Sequence, residues 1–241
     1  MKRLILMLLI VVTVLCICLC LAITGSAKSF KEIHTMINAI HWLGHDCFKI
    51  VSNVTIYTDP YNIKKQDTAD IILITHEHFD HLSPDDIKKI QTKDTVIVGP
   101  TDCVSKLTGT VKTIKTGQTL SLKGITIQAV PAYNTNKQFH TKDKGWIGYI
   151  ITVNNTRIYL AGDTDYIPEM NSLHNIDIAL LPVSGTYVMT AEEAAQAAMA
   201  IKPKVAIPMH YGAIVGTTAD AKKFEQLLKG KVEVVIKEIE Q

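Results

Sequence analysis

The apolar run Ile71-Ile72-Leu73-Ile74 leads, one residue on, into His76-Glu77-His78-Phe79-Asp80-His81. Few folds tolerate such a junction. The run is preceded by the polar Gln66 to Asp70 and followed by Ser83-Pro84-Asp85-Asp86, so it reads as a buried strand opening into a loop and then a helix. Three imidazoles and a carboxylate at a strand end would repel one another if protonated and gain little from burial if neutral. Together they suit a divalent cation that prefers nitrogen and oxygen ligands. Alternate residues of an extended segment face the same way, so His76 and His78 can reach one ion while Asp80 and His81, on the following bend, turn toward a second. Two adjacent divalent metal ions are therefore expected. A polar loop that happens to be rich in histidine would explain one imidazole here, not this pattern after a buried strand.

HxHxDH after a hydrophobic strand resembles the signature of the metallo-β-lactamase-fold hydrolases, and further matches follow in that family's order from about Ile40 to about Gly216. The resemblance implies an α/β fold, a four-layered αβ/βα sandwich, and hydrolysis by a metal-activated hydroxide. It looks nearest to the branch containing ascorbate-lactone hydrolases and phospholipase D of the N-acylphosphatidylethanolamine type. By this resemblance Trp42-Leu43-Gly44-His45 brings His45 toward the mouth of the site, to contact substrate or to pack, and Asp59 of Asp59-Pro60 holds a ligand histidine in its productive tautomer. Relatives place a metal-binding histidine soon after the strand that ends here at Val130. The close position is Asn134, and His140 stands six residues later. An amide oxygen is a poor ligand beside imidazole, so His140 is the expected ligand and Asn134 the alternative. Ala161-Gly162-Asp163-Thr164 resembles the bridging-aspartate motif, and His210, after Val205 to Met209, the last ligand. The implied set is His76, His78 and His140 on one metal, Asp80, His81 and His210 on the other, with Asp163 between them. Asp80 also accepts a proton, and Tyr211 or His45 stabilises charge on the substrate oxygen. Zinc is the default, with manganese, iron and nickel open. Asp165 and Glu169 either shape the mouth or are solvated loop residues.

The remaining elements follow from local signals. Ser83 and Pro84 start a helix through about Gln91. Val96 to Gly99 reads as a buried strand, and Thr110 to Val130 alternates as strands do, turning at Gly117 and Gly124. Asn154-Asn155 is a hairpin turn. Ile178 to Val183 is a buried strand, and Thr190-Ala191-Glu192-Glu193 is a capping box opening a helix through about Ile201. Thr217 or Thr218 caps a last helix over about Ala219 to Lys229, with a final strand expected from Val232 to Ile236.

The 241 residues suffice for one domain with a sizeable core. Residues 28–241 are read as the hydrolase domain and 1–27 as a leader, because Lys2 and Arg3 precede an apolar run from Leu4 to Ile23 broken only by Thr13, with Gly25-Ser26-Ala27 behind it. Such a segment is either a secretory signal peptide or an uncleaved membrane anchor. Either would place the body outside, secreted or anchored. Cys16, Cys18 and Cys20 lie in the leader. Cys47 and Cys103 remain as one disulfide or two unpaired core residues. Without Lys2 and Arg3 the body has 23 basic and 23 acidic residues and no basic stripe, which argues against nucleic acid as a partner. The expected partner is a small-molecule or lipid substrate, with a membrane if the leader is retained. Nothing in the sequence fixes an oligomeric state. Two competing readings are an exported metal-binding or partner-binding protein with lost catalysis, which Asn134 keeps open, and a di-iron redox enzyme of the same fold. The latter resembles HxExDH, where this chain has His78.

Overall fold

The computed structural model describes residues 28–64 and 67–240. The expected leader, with its three cysteines, lies outside them. The first described element is a helix, α1 (Phe30–Asn38), where the sequence gives a mere connecting stretch. Its start is a capping pair that was there to be read: the Ser29 hydroxyl accepts from the Glu32 amide at 3.3 Å and the Glu32 carboxylate accepts from the Ser29 amide at 2.7 Å.

Residues 35–240 form an α/β fold with two mixed sheets. The first runs in chain order through β1 (Ile40–Gly44), β2 (Cys47–Val51), β3 (Thr55–Thr58), β4 (Ile71–Leu73), β5 (Val96–Gly99) and β6 (Thr110–Thr113). The second runs through β7 (Thr119–Leu122), β8 (Ile125–Pro131), β9 (Ile147–Val153), β10 (Thr156–Leu160), β11 (Ile178–Pro182), β12 (Val205–Met209) and β13 (Glu233–Val234). Each sheet opens with antiparallel hairpins and ends in parallel strands: β3, β4, β5 and β6 in one, β10, β11, β12 and β13 in the other. Parallel strands need crossovers and cover on both faces. Helix α2 (Pro84–Ile90) crosses from β4 to β5, and its Ile87 and Ile90 share one apolar cluster with Ile72, Ile74 and Ile97. Helices α4 (Ala191–Ile201) and α5 (Thr218–Leu228) serve the second sheet, α4 through an alanine-rich buried face; a short α3 (Thr101–Val104) follows β5. The two sheets meet where the Tyr149 hydroxyl of β9 donates to the Ile74 carbonyl at 2.6 Å. The result is the four-layered αβ/βα sandwich.

Caps fall where local chemistry put them. Ser83 accepts from the Asp86 amide, and Thr190 with Glu193 and Thr217 with Asp220 form capping boxes. The final strand is shorter than expected. Only Glu233 and Val234 pair, with Val205 and Ala206 of β12, because the chain then leaves this edge and bridges Trp42 at Ile239. Cys47 and Cys103 are free, buried thiols whose pKa burial pushes up. The disulfide alternative is thereby removed.

Candidate metal centre

The parallel strands deliver most of the centre at their carboxyl ends: Asp59 follows β3, His76 to His81 follow β4, Asp163 follows β10, Ser184 follows β11 and His210 follows β12. Ligand sites in open α/β sheets favour this edge. His45 and Asp46 arrive on the β1–β2 turn, and His140 on the loop between β8 and β9. Three of these residues adopt left-handed backbone: His45 (φ 53°), Asp59 (φ 38°) and His210 (φ 60°). Non-glycine residues rarely take this conformation, and it costs on the order of 1–3 kcal/mol each, so the surrounding packing must enforce it. Gly162, at φ 64°, lets the Asp163 loop approach Thr75, whose Cγ2 would lie 3.1 Å from any added Cβ.

Asp163 is the hub. His140 Nε2 and His210 Nε2 each lie 3.2 Å from its Oδ2, and His81 Nε2 lies 3.3 Å from its Oδ1. On one side, His78 Nδ1 is 3.0 Å from His76 Nε2 and 3.1 Å from His140 Nε2. On the other, His45, Asp80, His81 and His210 offer ligand atoms within 4.8 Å of one another.

The outer nitrogens are fixed by partners that settle the tautomers. Thr75 donates its hydroxyl to Asp59 Oδ2 at 2.6 Å and accepts from His76 Nδ1 at 3.0 Å, while His81 Nδ1 donates to the same Asp59 oxygen at 2.8 Å. The Asn134 amide oxygen accepts from His140 Nδ1 at 3.0 Å, and Ser184 accepts from His210 Nδ1 at 3.0 Å. These bonds leave the Nε2 lone pairs of His76 and His140 aimed at the centre. Trp146 backs three of the imidazoles, with ring centroids 4.9 Å from His76, 4.8 Å from His78 and 5.5 Å from His140.

The Nε2 lone pairs of His76 and His140 converge on one nitrogen, His78 Nδ1, which carries at most one proton to share between them, and a cation among the three would satisfy them all. Buried polar atoms without a hydrogen bond cluster here too: His45 Nδ1, both Asp46 oxygens, His81 Nε2 and Asp163 Oδ1. Groups of this kind are rare in folded proteins and call for a missing partner. The imidazole and carboxylate donors fit divalent metal. Electrostatics agree. Burial works to raise the Asp163 carboxyl, but His210 and His81 hold it well below the usual carboxylate range. Burial works against charge on the two imidazoles, yet Asp163 raises both His81, with help from Asp59, and His210. His76 falls well below the ordinary value through burial and the nearby His81, and His78 falls through burial and His140.

Several sequence expectations gain a place. Asn134 does not face the centre; its amide nitrogen donates to the Asp165 carboxylate at 3.1 Å and to the Tyr187 carbonyl at 2.8 Å. Its amide oxygen instead meets the His140 ring. His45 is buried behind Asp80, with Nε2 3.1 Å from Asp80 Oδ2 and its pKa taken by burial down to about 4. It does not reach the mouth. Tyr211 is also buried, its ring 4.8 Å from that of Trp42, and burial pushes its hydroxyl up to about 12. Neither is among the residues that line the open cavity. Asp165 is buried and bonded to the Thr135 amide and Lys137, while Glu169 accepts from Tyr133. Sequence reading missed Asp46, Trp146, Ser184 and Thr75, because none stands in a pattern of its own.

The cavity above the centre measures about 260 Å³ and has His78, Asp80, His140 and Asp163 on its floor. Phe79, Phe139, Tyr187 and Ile214 form its rim and stay exposed by 66%, 53%, 38% and 41%, which makes the entrance apolar.

The model of the beta-lactamase superfamily domain matches residues 39–210. A UPF0173 metal-dependent hydrolase of Thermococcus onnurineus is 33% identical over 214 residues, covering 82% of this chain and 95% of the relative. One of Thermoplasma acidophilum is 33% identical, covering 83% and 96%. Among solved structures, a protein described as a metal-dependent hydrolase from Parabacteroides distasonis superposes with a TM-score of 0.75 at 38% identity, covering 83% of this chain and 93% of that one. The expectation of export, anchored or secreted, is corrected by these relatives: the hydrolase body accounts for nearly all of their length, so kinship brings no export segment with it. No helix among the described residues is long and apolar enough to cross a membrane.

Proposed function

The chain belongs to the beta-lactamase superfamily domain family and is a metal-dependent hydrolase of the metallo-β-lactamase superfamily; from that premise we propose a dinuclear centre that opens a carboxylic ester or lactone carrying an apolar group. His76, His78 and His140 would hold one ion and Asp80, His81 and His210 the other, with Asp163 between them. The observation that carries this reading is the convergence of His81, His140 and His210 on the two oxygens of Asp163. Zinc is the default ion for such donors. Bound there, such ions would supply Lewis acidity, making a water easier to deprotonate near neutral pH and polarising an acyl oxygen.

The chain's own residues do the rest. Asp80 lies on the cavity floor; burial works to raise its carboxyl, but the hydrogen bond from His45 keeps it below the ordinary value, so it stays anionic and can take the proton of the attacking water and pass it to the leaving oxygen. His45 is a positioning residue that fixes Asp80. The apolar rim favours a substrate with a hydrocarbon portion over a wholly polar one. Amides and phosphodiesters remain within the reach of the same ions.

The test is metal content and turnover of the full chain purified without added metal. Two ions per chain, with chelation abolishing hydrolysis of esters and lactones and zinc restoring it, is the expected result. Fewer than two after reconstitution with zinc, manganese or iron would overturn the dinuclear reading.

Metal binding should also release protons. His81 is raised well above and His210 above the ordinary imidazole value, so the metal-free centre holds protons there that it does not hold on the lowered His76 and His78. An ion must displace the proton on Nε2 of each raised imidazole, so binding releases protons. Metal affinity therefore rises with pH. Titration calorimetry in buffers of different ionisation enthalpy would read this release, and zero release would contradict it.

The rim gives a separate expectation. Phe139→Ala, which also frees the face of Tyr187 packed 4.5 Å away, should lower kcat/KM about tenfold for long-chain esters, from the loss of roughly 1–2 kcal/mol of apolar contact. Acetyl esters should be hydrolysed at the unchanged rate. Equal loss on both series would remove the rim from substrate selection.

A further inference from the structure

Asp46 is 0% exposed, and neither of its carboxylate oxygens has a hydrogen bond. A buried carboxylate without partners is costly, and folded proteins retain one only where something compensates it. The contrast with Asp59 is direct. Asp59 is equally buried, but the Thr75 amide and hydroxyl and His81 Nδ1 occupy its oxygens. Asp46 instead lies beside the centre: its ligand atom falls within 4.8 Å of those of Asp163 and His210, and it forms a second such group with Asp59 and His81. His45, the residue before it, has left-handed backbone (φ 53°), and the Asp46 carbonyl accepts from the Thr58 hydroxyl at 2.9 Å. The turn is thus anchored with this side chain inward.

We propose that Asp46 supplies a further carboxylate oxygen to the second metal position, beside Asp80, His81, Asp163 and His210, and makes that position prefer a hard, higher-coordinate ion. The inference rests on the dinuclear reading above. The two positions then differ in kind. His76, His78 and His140 with Asp163 give a nitrogen-rich set of four donors, which suits tetrahedral zinc. Asp46, Asp80, His81, His210 and Asp163 give five donors, three of them carboxylates, which suits manganese or iron(II). The centre is built for two unlike ions.

The experiment is equilibrium dialysis of the full chain against zinc and manganese, singly and together, with metal content read by mass spectrometry for wild type, Asp46→Asn and Asp46→Ser. Wild type should take up both ions. Each variant should lose affinity at one position by about tenfold or more, as changes beside a metal site typically do, and its zinc-to-manganese ratio should rise. The metal-free variants should melt no lower than metal-free wild type, because a carboxylate kept for structure alone would cost stability when replaced and one kept for metal would not. Two ions of unchanged affinity and selectivity in both variants would overturn the role of Asp46 while leaving the dinuclear centre standing. A wild type that binds one ion or none would overturn both.

Discussion

Asp163→Asn is expected to empty the centre and to lower turnover by about a thousandfold or more, since it removes the group on which the charge arrangement of the site depends. Three imidazoles lie within 3.3 Å of its two oxygens, His140 from one half of the centre and His81 and His210 from the other. The amide keeps the shape but offers one weak acceptor and one donor. In the metal-free protein the change also takes from His81 and His210 the carboxylate that raises both, leaving His81 only Asp59, a loss of about 3–5 kcal/mol for a broken buried pair. Two measurements check this: metal per chain by mass spectrometry, expected to fall from two to below one, and the denaturant midpoint of the metal-free protein. Retention of two ions with wild-type turnover would exclude Asp163 as the shared ligand.

The second large effect is expected at His140. His140→Ala removes one of three nitrogens from the first position and should leave one ion per chain, with turnover reduced to a similar extent. Asn134→Ala should act through the same imidazole but more weakly. The Asn134 oxygen accepts from both the His140 ring, at 3.0 Å, and its backbone amide, at 3.2 Å, so its loss frees the ring to rotate and to change tautomer. Loss of such a partner typically costs 10- to 100-fold in metal affinity. Added zinc should therefore restore turnover in Asn134→Ala and not in His140→Ala. If the two variants exchanged behaviours, Asn134 would be the ligand and His140 its support.

The difference between these residues illustrates what a linear reading can reach. The sequence places a histidine-rich loop after a buried strand, an aspartate after Ala161-Gly162 and a histidine after β12, and all of them meet at one edge of the two sheets. It also marks the helix starts at Ser83, Thr190 and Thr217, because a cap is made by side chains three residues apart. It left Asn134 and His140 as competitors, because the answer depends on a loop that folds Asn134 back onto His140 so that the Asn134 amide bonds to the His140 carbonyl at 2.7 Å. The sequence left His45 either to contact substrate or to pack, and its buried ring agrees with packing, for a similar reason. A turn at the end of a hairpin normally faces solvent, but this one is driven inward by left-handed backbone and by packing of the His45 ring 4.0 Å from that of His210.

What the sequence determined by itself is the chemistry carried by short patterns: strand ends with histidine and aspartate at fixed offsets, a metal-dependent hydrolase, and an α/β sandwich to hold them. Those features are local, since residue type and spacing within a few positions decide them. Only the tertiary structure decided which groups share the centre with them. Asp46, Thr75, Trp146 and Ser184 are ordinary residues in the chain, and the apolar rim comes from four residues spread between Phe79 and Ile214. Their meaning depends on what lies within a few ångströms, and the sheets bring together residues separated by more than a hundred positions. A buried carboxylate with no partner is visible only once burial itself is known.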